Sequence, residues 1–438
     1  MGWHDRLTPG TRPVRLRRAS VPVALCPALR ATADARGLAL ADIALADGRI
    51  AAISPSDPEW PDPEAVDLDH GLVLPTFADI HTHLDKGHIW PRTDNPDGTF
   101  AAALDAAGAD RDQHWNADDV RRRMDFSLRS AEAHGTRLIR THLDSIPPQN
   151  AITWPLFAEL RDAWRGRIEL QGVALIGIDE LPEGAALDAY VRLVADHGGL
   201  LGAAIYPMPD LDQRLARLFD AASRHGLGLD LHVDESGDPA ADGLARVAEM
   251  AIAVDVPGPV VVGHCCSLAV QDESEVRRTL DKVARAGLGV VTLPLCNLYL
   301  QDRHPGRTPR WRGVTLVHEM RERDIPVAIA SDNTRDPFYA YGDLDMLEVF
   351  RAATRILHLD HPFGGWPAAV CRTPAELMGF EGVGAIAEGA AADLVVFRAR
   401  TFSELLARSQ DDRIVMRNAQ VIARRVPDYR ELDDVVGG

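Results

Sequence analysis

A chain of 438 residues, 46% hydrophobic and 26% charged, has material for two or three ordinary domains or for one α/β barrel with additions. Its formal net charge of −18 argues against a nucleic-acid partner, since phosphate is bound by Lys and Arg. No stretch approaches the roughly 18 unbroken apolar residues of a spanning helix, so no membrane partner is expected. Five cysteines without a CxxC pair set no disulfide framework and point to a reducing, cytoplasmic setting.

Arg15–Arg18 followed by Val21–Leu25 and Cys26 imitates a leader sequence. Pro22 and Pro27 interrupt the run, which instead reads as the first strand of the fold. Residues 20–70 hold short β-type runs, Leu38–Leu45 and Gly48–Ile53, punctuated by Gly, Asp and Pro. Strand-like stretches then follow at Leu72–His83, Thr136–Asp144, Ile168–Ile176, Leu200–Tyr206, Gly228–Asp234, Val260–His264, Gly287–Pro294 and Ile325–Asp332. Helical patterns separate them at Asp118–His134, Pro155–Trp164, Asp210–His225, Pro239–Val254 and Glu273–Ala286. Strands interleaved with helices predict a (β/α)8 TIM-type barrel rather than an open doubly wound sheet. Residues 342–380 read as added helices, and Ala392–Arg398 and Arg413–Ala423 return to β character. The expected organisation is a small β-sandwich built from residues 1–70 and 381–438 beside a barrel spanning 71–380.

In such a barrel, chemistry sits where strands end and loops begin. His81 and His83 close the first strand, and residues i and i+2 of a strand share a face, so both imidazoles can reach one metal ion. Arg140-Thr-His-Leu-Asp144 closes the second strand and Leu231-His-Val-Asp-Glu235 the fifth. Gly263-His264 closes the sixth and Ala330-Ser-Asp-Asn333 the eighth. Each residue alone has a plainer reading. A strand-end histidine is more often a hydrogen-bonded structural group, Asp332 can cap a helix, His142 and Asp144 can support neighbours, and Cys265 and Cys266 can be core. Together His81, His83, His232, His264 and Asp332 are the ligand types of a catalytic first-row metal.

These motifs carry a resemblance. Leu74-Pro-Thr-Phe-Ala-Asp-Ile-His-Thr-His-Leu-Asp85, Arg140-Thr-His-Leu-Asp144, His232-Val-Asp-Glu235, Gly263-His264 and Ser331-Asp-Asn-Thr-Arg-Asp-Pro-Phe338 resemble the amidohydrolase superfamily and its cytosine deaminase-like branch, over roughly residues 20–425. The resemblance implies His81, His83, His232 and Asp332 as metal ligands, Glu235 as proton shuttle and His264 as the group polarising substrate or water. Asp332 doubles as acceptor of the water's proton. Binuclear members bridge two metals with a carboxylated lysine on strand four. Leu200-Leu-Gly-Ala-Ala-Ile-Tyr206 has none, since Lys86 and Lys282 are the only lysines. One divalent ion is therefore expected, Zn²⁺ or Fe²⁺, because three imidazoles and a carboxylate suit both.

The implied reaction is hydrolytic deamination: hydroxide formed from water on the metal attacks the amino-bearing carbon of a small nitrogen heterocycle. Cytosine deaminases typically carry a glutamine at the end of strand three, where this chain has Leu175-Ile-Gly-Ile178 with Gly177 at or near that position. Lys86, Asn297 and Asn333, with Gln301, are further candidates for substrate contact. Release of alkylamines from aminotriazines and opening of a cyclic amide are alternatives on the same residues, and a non-catalytic barrel is a third reading. The resemblance also implies a homo-oligomer.

Overall fold

The structure, a computed structural model, describes residues 2–57 and 62–437. Met1, residues 58–61 and Gly438, within the expected sandwich segments, lie outside the described residues. Contacts divide the chain into two units: Met1–Ala78 with Arg129–Arg137 and Asp345–Val426, and Asp79–Leu128 with Leu138–Leu344 and Pro427–Gly438.

In the first unit, strands β1 (Arg15–Pro22), β2 (Leu38–Ala46), β3 (Arg49–Pro55) and β4 (Val66–Asp67) form one sheet in the order β3-β2-β1-β4. Leu45, Ile43, Ala41 and Ala39 of β2 alternate inward, as a half-buried strand requires. Asp47 and Gly48 join β2 to β3, both left-handed with φ of 50° and 77°; this is the two-residue turn that matches strand twist. β5 (Val73–Pro75) starts a second sheet, described with its partners below.

The barrel strands follow as β6 (Phe77–Thr82), β7 (Thr136–Asp144), β8 (Glu169–Leu175), β9 (Leu200–Leu201), β10 (Ala204–Ile205), β11 (Asp230–Val233), β12 (Val261–His264), β13 (Gly289–Thr292) and β14 (Val327–Ile329). They lie in two sheets, β6-β7-β8-β9 and β10-β11-β12-β13-β14. Parallel bridges Leu201–Leu229 and Thr82–Asp332 join them at both ends, and Asp332 N–H donates to the His81 carbonyl at 2.9 Å. All eight expected strands are present, but the first, expected as Leu72–His83, is divided: Val73–Pro75 pairs in the second sheet and only Phe77–Thr82 joins the barrel. The fourth, expected as continuous Leu200–Tyr206, is instead split into β9 and β10 at Gly202. A Cβ there would lie 2.5 Å from the Asp230 carbonyl oxygen, so the neighbouring strand leaves room for glycine alone.

β15 (Leu394–Val396), β16 (Ile414–Arg417) and β17 (Gln420–Val421) complete the second sheet, ordered β17-β16-β15-β5 and antiparallel. Leu16, Ile43 and Ile50 from the first sheet share one core with Val73, Leu394 and Met416 from the second. The terminal β segments thus build one sandwich, as their pattern predicts. The helix Met346–Leu357 groups with the sandwich unit rather than with the barrel, to which residues 342–380 were assigned.

A buried ion pair ties this helix to the sandwich strands. Arg413 meets Asp345, the residue that caps this helix, through two contacts of 2.6 Å. Although burial opposes the Asp345 charge, Arg413 outweighs it and holds the carboxyl below its ordinary 3.8. Replacing Arg413 by Ala should cost about 3–5 kcal/mol in urea unfolding, because a buried carboxylate loses its partner. With the folded value depressed, that stabilisation is fully present above the unfolded pKa of 3.8 and disappears as pH falls through the folded one. The loss on mutation should therefore shrink in acid.

No helix among the described residues is long and apolar enough to cross a membrane. A helix at Phe100–His114, capped by Thr99, was not anticipated. Its core-facing residues, Ala103 and Ala107, are too small to mark an apolar stripe.

Candidate active site

The carboxyl ends of β6, β11 and β14 bring four ionisable side chains close together. His81 Nε2 lies 3.1 Å from His232 Nε2, which lies 3.3 Å from His83 Nε2. Asp332 Oδ1 stands 3.6 Å from His81 Nε2 and 3.2 Å from His83 Nε2. The four are buried. Burial, reinforced by neighbouring positive groups, holds the three imidazoles well below the usual histidine range, so they are neutral with a lone pair to offer. Burial likewise pushes the Asp332 carboxyl up to about 7.

The Asp332 oxygens and the Nδ1 atoms of the three histidines have no hydrogen-bond partner. Three Nε2 atoms facing one another cannot satisfy each other as donors and acceptors, and an unpartnered buried carboxylate is costly. A cation would resolve both problems, and ligand atoms of His81, His83 and Asp332 all lie within 4.8 Å of one another, so the residues fit a metal.

The backbone contributes to this convergence. Asp234, His264 and Asp332 are left-handed, with φ of 50°, 69° and 68°, and each marks the turn by which a strand leaves the barrel. Asp79 anchors the last of these from beneath, accepting from Ser331 N–H at 3.0 Å and from its hydroxyl. Asp234 accepts from Gly243 and Leu244 N–H, so it caps the following helix and leaves Glu235 to face the site.

Glu235 Oε1 lies 3.2 Å from His264 Nδ1 and 3.3 Å from Asn297 Nδ2, and the Asn297 amide reaches His264 Nδ1 at 2.9 Å. Burial alone would lower the His264 pKa, but Glu235, Asp332 and Asp230 together raise it. Gln301 Nε2 donates to the Glu235 carbonyl at 3.2 Å. Asn297 and Gln301, expected to touch substrate, thus hold Glu235 and His264 from behind. Asn297 is fully buried and does not line the cavity.

A cavity of about 330 Å³ opens over this cluster, within the range of small-molecule pockets. Apolar Leu175, Ile176, Ile205 and Phe338 line it, as do Lys86, Gly177 and Asn333. Lys86 pairs with Asp144 at 2.9 Å and sits 5.2 Å from the centre of the Phe338 ring. Arg111, from the unanticipated helix, approaches the same Asp144 at 3.6 Å. Asn333 donates to Asp336 at 2.8 Å. Gly177 has no space for a side chain, since a Cβ would lie 2.6 Å from Asp179 Oδ1 and 3.1 Å from Tyr206 Oη. The hydroxyl of Tyr206 donates to Asp179, and Asp179 and Tyr206 hold the space beside the strand-three end.

His142 is the residue sequence reasoning set aside as support. Its ring centre is 4.0 Å from that of His81, neither nitrogen has a hydrogen-bond partner, and it groups with His81 and His232 as a ligand set. Asp230 and Arg140, paired at 2.7 Å below it, were missed as well. Their signal was there: Arg140 and Asp230 each stand two residues before a histidine on a barrel strand.

A closed α/β barrel whose strand ends converge three neutral imidazoles, a carboxylate and a flanking Glu–His pair defines a metal-dependent hydrolase. The chain belongs to the amidohydrolase family, whose pattern matches residues 128–424. It is 53% identical over 404 residues to the pterin deaminase of Rhizobium rhizogenes, covering 92% of each chain. It is 23% identical to the N-isopropylammelide isopropyl amidohydrolase of a Pseudomonas species, over 82% of this chain and 88% of that one. Among solved structures, 5-methylcytosine deaminase from Klebsiella pneumoniae liganded with phosphonocytosine aligns with a TM-score of 0.80 at 24% identity, covering 94% of this chain and 98% of that one. The protein is a metal-dependent hydrolytic deaminase of a nitrogen heterocycle.

Proposed function

We propose that this enzyme deaminates a pterin, replacing the exocyclic amine of the fused 2-amino-4-oxopyrimidine ring by an oxo group and releasing ammonia. The observation that carries this reading is the 53% identity to a pterin deaminase across 92% of both chains. The reacting half of a pterin is an isocytosine ring, in keeping with the similarity to a 5-methylcytosine deaminase. The apolar cavity walls suit a flat bicyclic ring.

His81, His83, His232 and Asp332 would hold one divalent ion, Zn²⁺ or Fe²⁺. When bound, such an ion acidifies a water and so supplies the nucleophile at neutral pH. Asp332 would take up the proton that the nucleophile gives up. Glu235 donates a proton to the ring nitrogen next to the attacked carbon, then carries one to the departing amine, which leaves as ammonia. His264, held against Glu235, polarises the reacting centre, and Asn297 keeps both in register. Lys86, Gly177 and Asn333 border the ring. Family resemblance supports a homo-oligomer, and five free cysteines suit a reducing, cytoplasmic setting.

Ammonia release from pterin, isocytosine, cytosine and alkylaminotriazines tests the substrate. The kcat/KM for pterin should exceed that for cytosine by at least about 100-fold, a ratio that mismatched hydrogen-bonding groups readily produce. Faster turnover of cytosine or of a triazine would overturn the pterin reading.

A further inference from the structure

Cys296 takes no part in the proposed reaction, yet its sulfur stands beside the two carboxylates that do. Ligand atoms of Glu235, Cys296 and Asp332 all lie within 4.8 Å of one another. Cys296 and Asp332 are each 1% exposed, and neither Asp332 oxygen has a hydrogen-bond partner. The thiol's acceptors are Asn333 Oδ1 at 3.6 Å and the Phe338 carbonyl at 3.9 Å. Glu235 and Asp332 line the cavity, with Cys296 behind them on the short helix Pro294–Leu300. Two carboxylates and a sulfur are a donor set for a thiophilic divalent ion. This set contains only one member of the His81–His83–Asp332 group.

We propose that Glu235, Cys296 and Asp332 form a second, inhibitory metal position that takes a thiophilic ion such as Zn²⁺ and shares Asp332 with the first. This rests on the reading that His81, His83, His232 and Asp332 hold the first ion. On binding, a sulfur–metal bond forms, the thiol proton passes to solvent, and nothing is oxidised or reduced. The ion engages Glu235 and occupies cavity space at the reacting end. Substrate and second ion then exclude each other, so excess metal raises KM and leaves kcat unchanged.

Protein carrying one equivalent of Co²⁺ is titrated with more. The first equivalent should give visible ligand-field bands without sulfur character. Further Co²⁺ should add a sulfur-to-cobalt charge-transfer band in the near ultraviolet, lost in Cys296→Ser and kept in Cys266→Ser. In turnover assays, Cys296→Ser should need at least about 10-fold more Zn²⁺ for the same rise in KM, since even the loss of a group supporting a ligand costs that much affinity. Absence of the band at saturating Co²⁺, or its survival in Cys296→Ser, would overturn the proposal. Should that variant fail to fold, cadmium-113 NMR of the unmodified protein decides. Two resonances with one in the sulfur-ligated range are expected, and two in the nitrogen–oxygen range refute it. Protein that binds no first equivalent overturns the metal centre itself and this second position with it, so the two failures are told apart.

Discussion

Glu235→Gln should lower kcat by roughly 10²–10⁴-fold, the usual contribution of a positioned proton carrier, while the protein still binds about one metal per chain. The amide keeps the shape of the side chain and its place beside His264 and Asn297, but it can neither give nor take the proton. Because Glu235 lies outside the four converging ligands, metal analysis and steady-state kinetics separate its role from theirs. An unchanged kcat would remove Glu235 from the reaction, and a lost metal would make it a ligand instead.

Stripping the metal with a chelator should abolish turnover and lower the melting temperature by several degrees, both restored by adding Zn²⁺ or Fe²⁺. The physical cause is the donor set itself. Nitrogen atoms face each other at 3.1 and 3.3 Å, and a buried carboxylate lacks partners. An ion present at 1,000 times its Kd stabilises the folded chain by about 4.1 kcal/mol, and a chain of this size converts each kcal/mol into a few degrees. Asp332→Asn should narrow the gap between the loaded and stripped melting curves. Chelated protein that melts and turns over as before would mean that these residues hold no catalytic ion.

Much of this was legible in the sequence because barrel strands are apolar runs that end abruptly in polar residues. His81, His83, His232 and Asp332 could each be placed at a strand end from that pattern alone. What a one-dimensional pattern lacks is direction across the barrel. Asn297 sits on a helix after β13 and turns towards Glu235 rather than into the cavity. His142 faces His81 across neighbouring strands, a closeness that only pairing reveals. The fourth strand divides at Gly202, where the backbone of the next strand leaves no room for a side chain. The helix Phe100–His114 hides because its buried face is two alanines and Asp110, although Phe100, Leu104 and Arg111 on it border the cavity.

The left-handed turns at Asp234, His264 and Asp332 bear on how such a site can evolve. That conformation is tolerated by Gly, Asn, Asp and His, and resisted by bulky or β-branched residues. The rim can therefore exchange one short polar group for another without rebuilding a loop, and its metal preference can drift through swaps such as Asp for His or Asn. A glutamate or threonine at the same places would have to remake the backbone first. Chemistry and chain geometry select from the same small alphabet here, which confines change at these three positions to short polar groups.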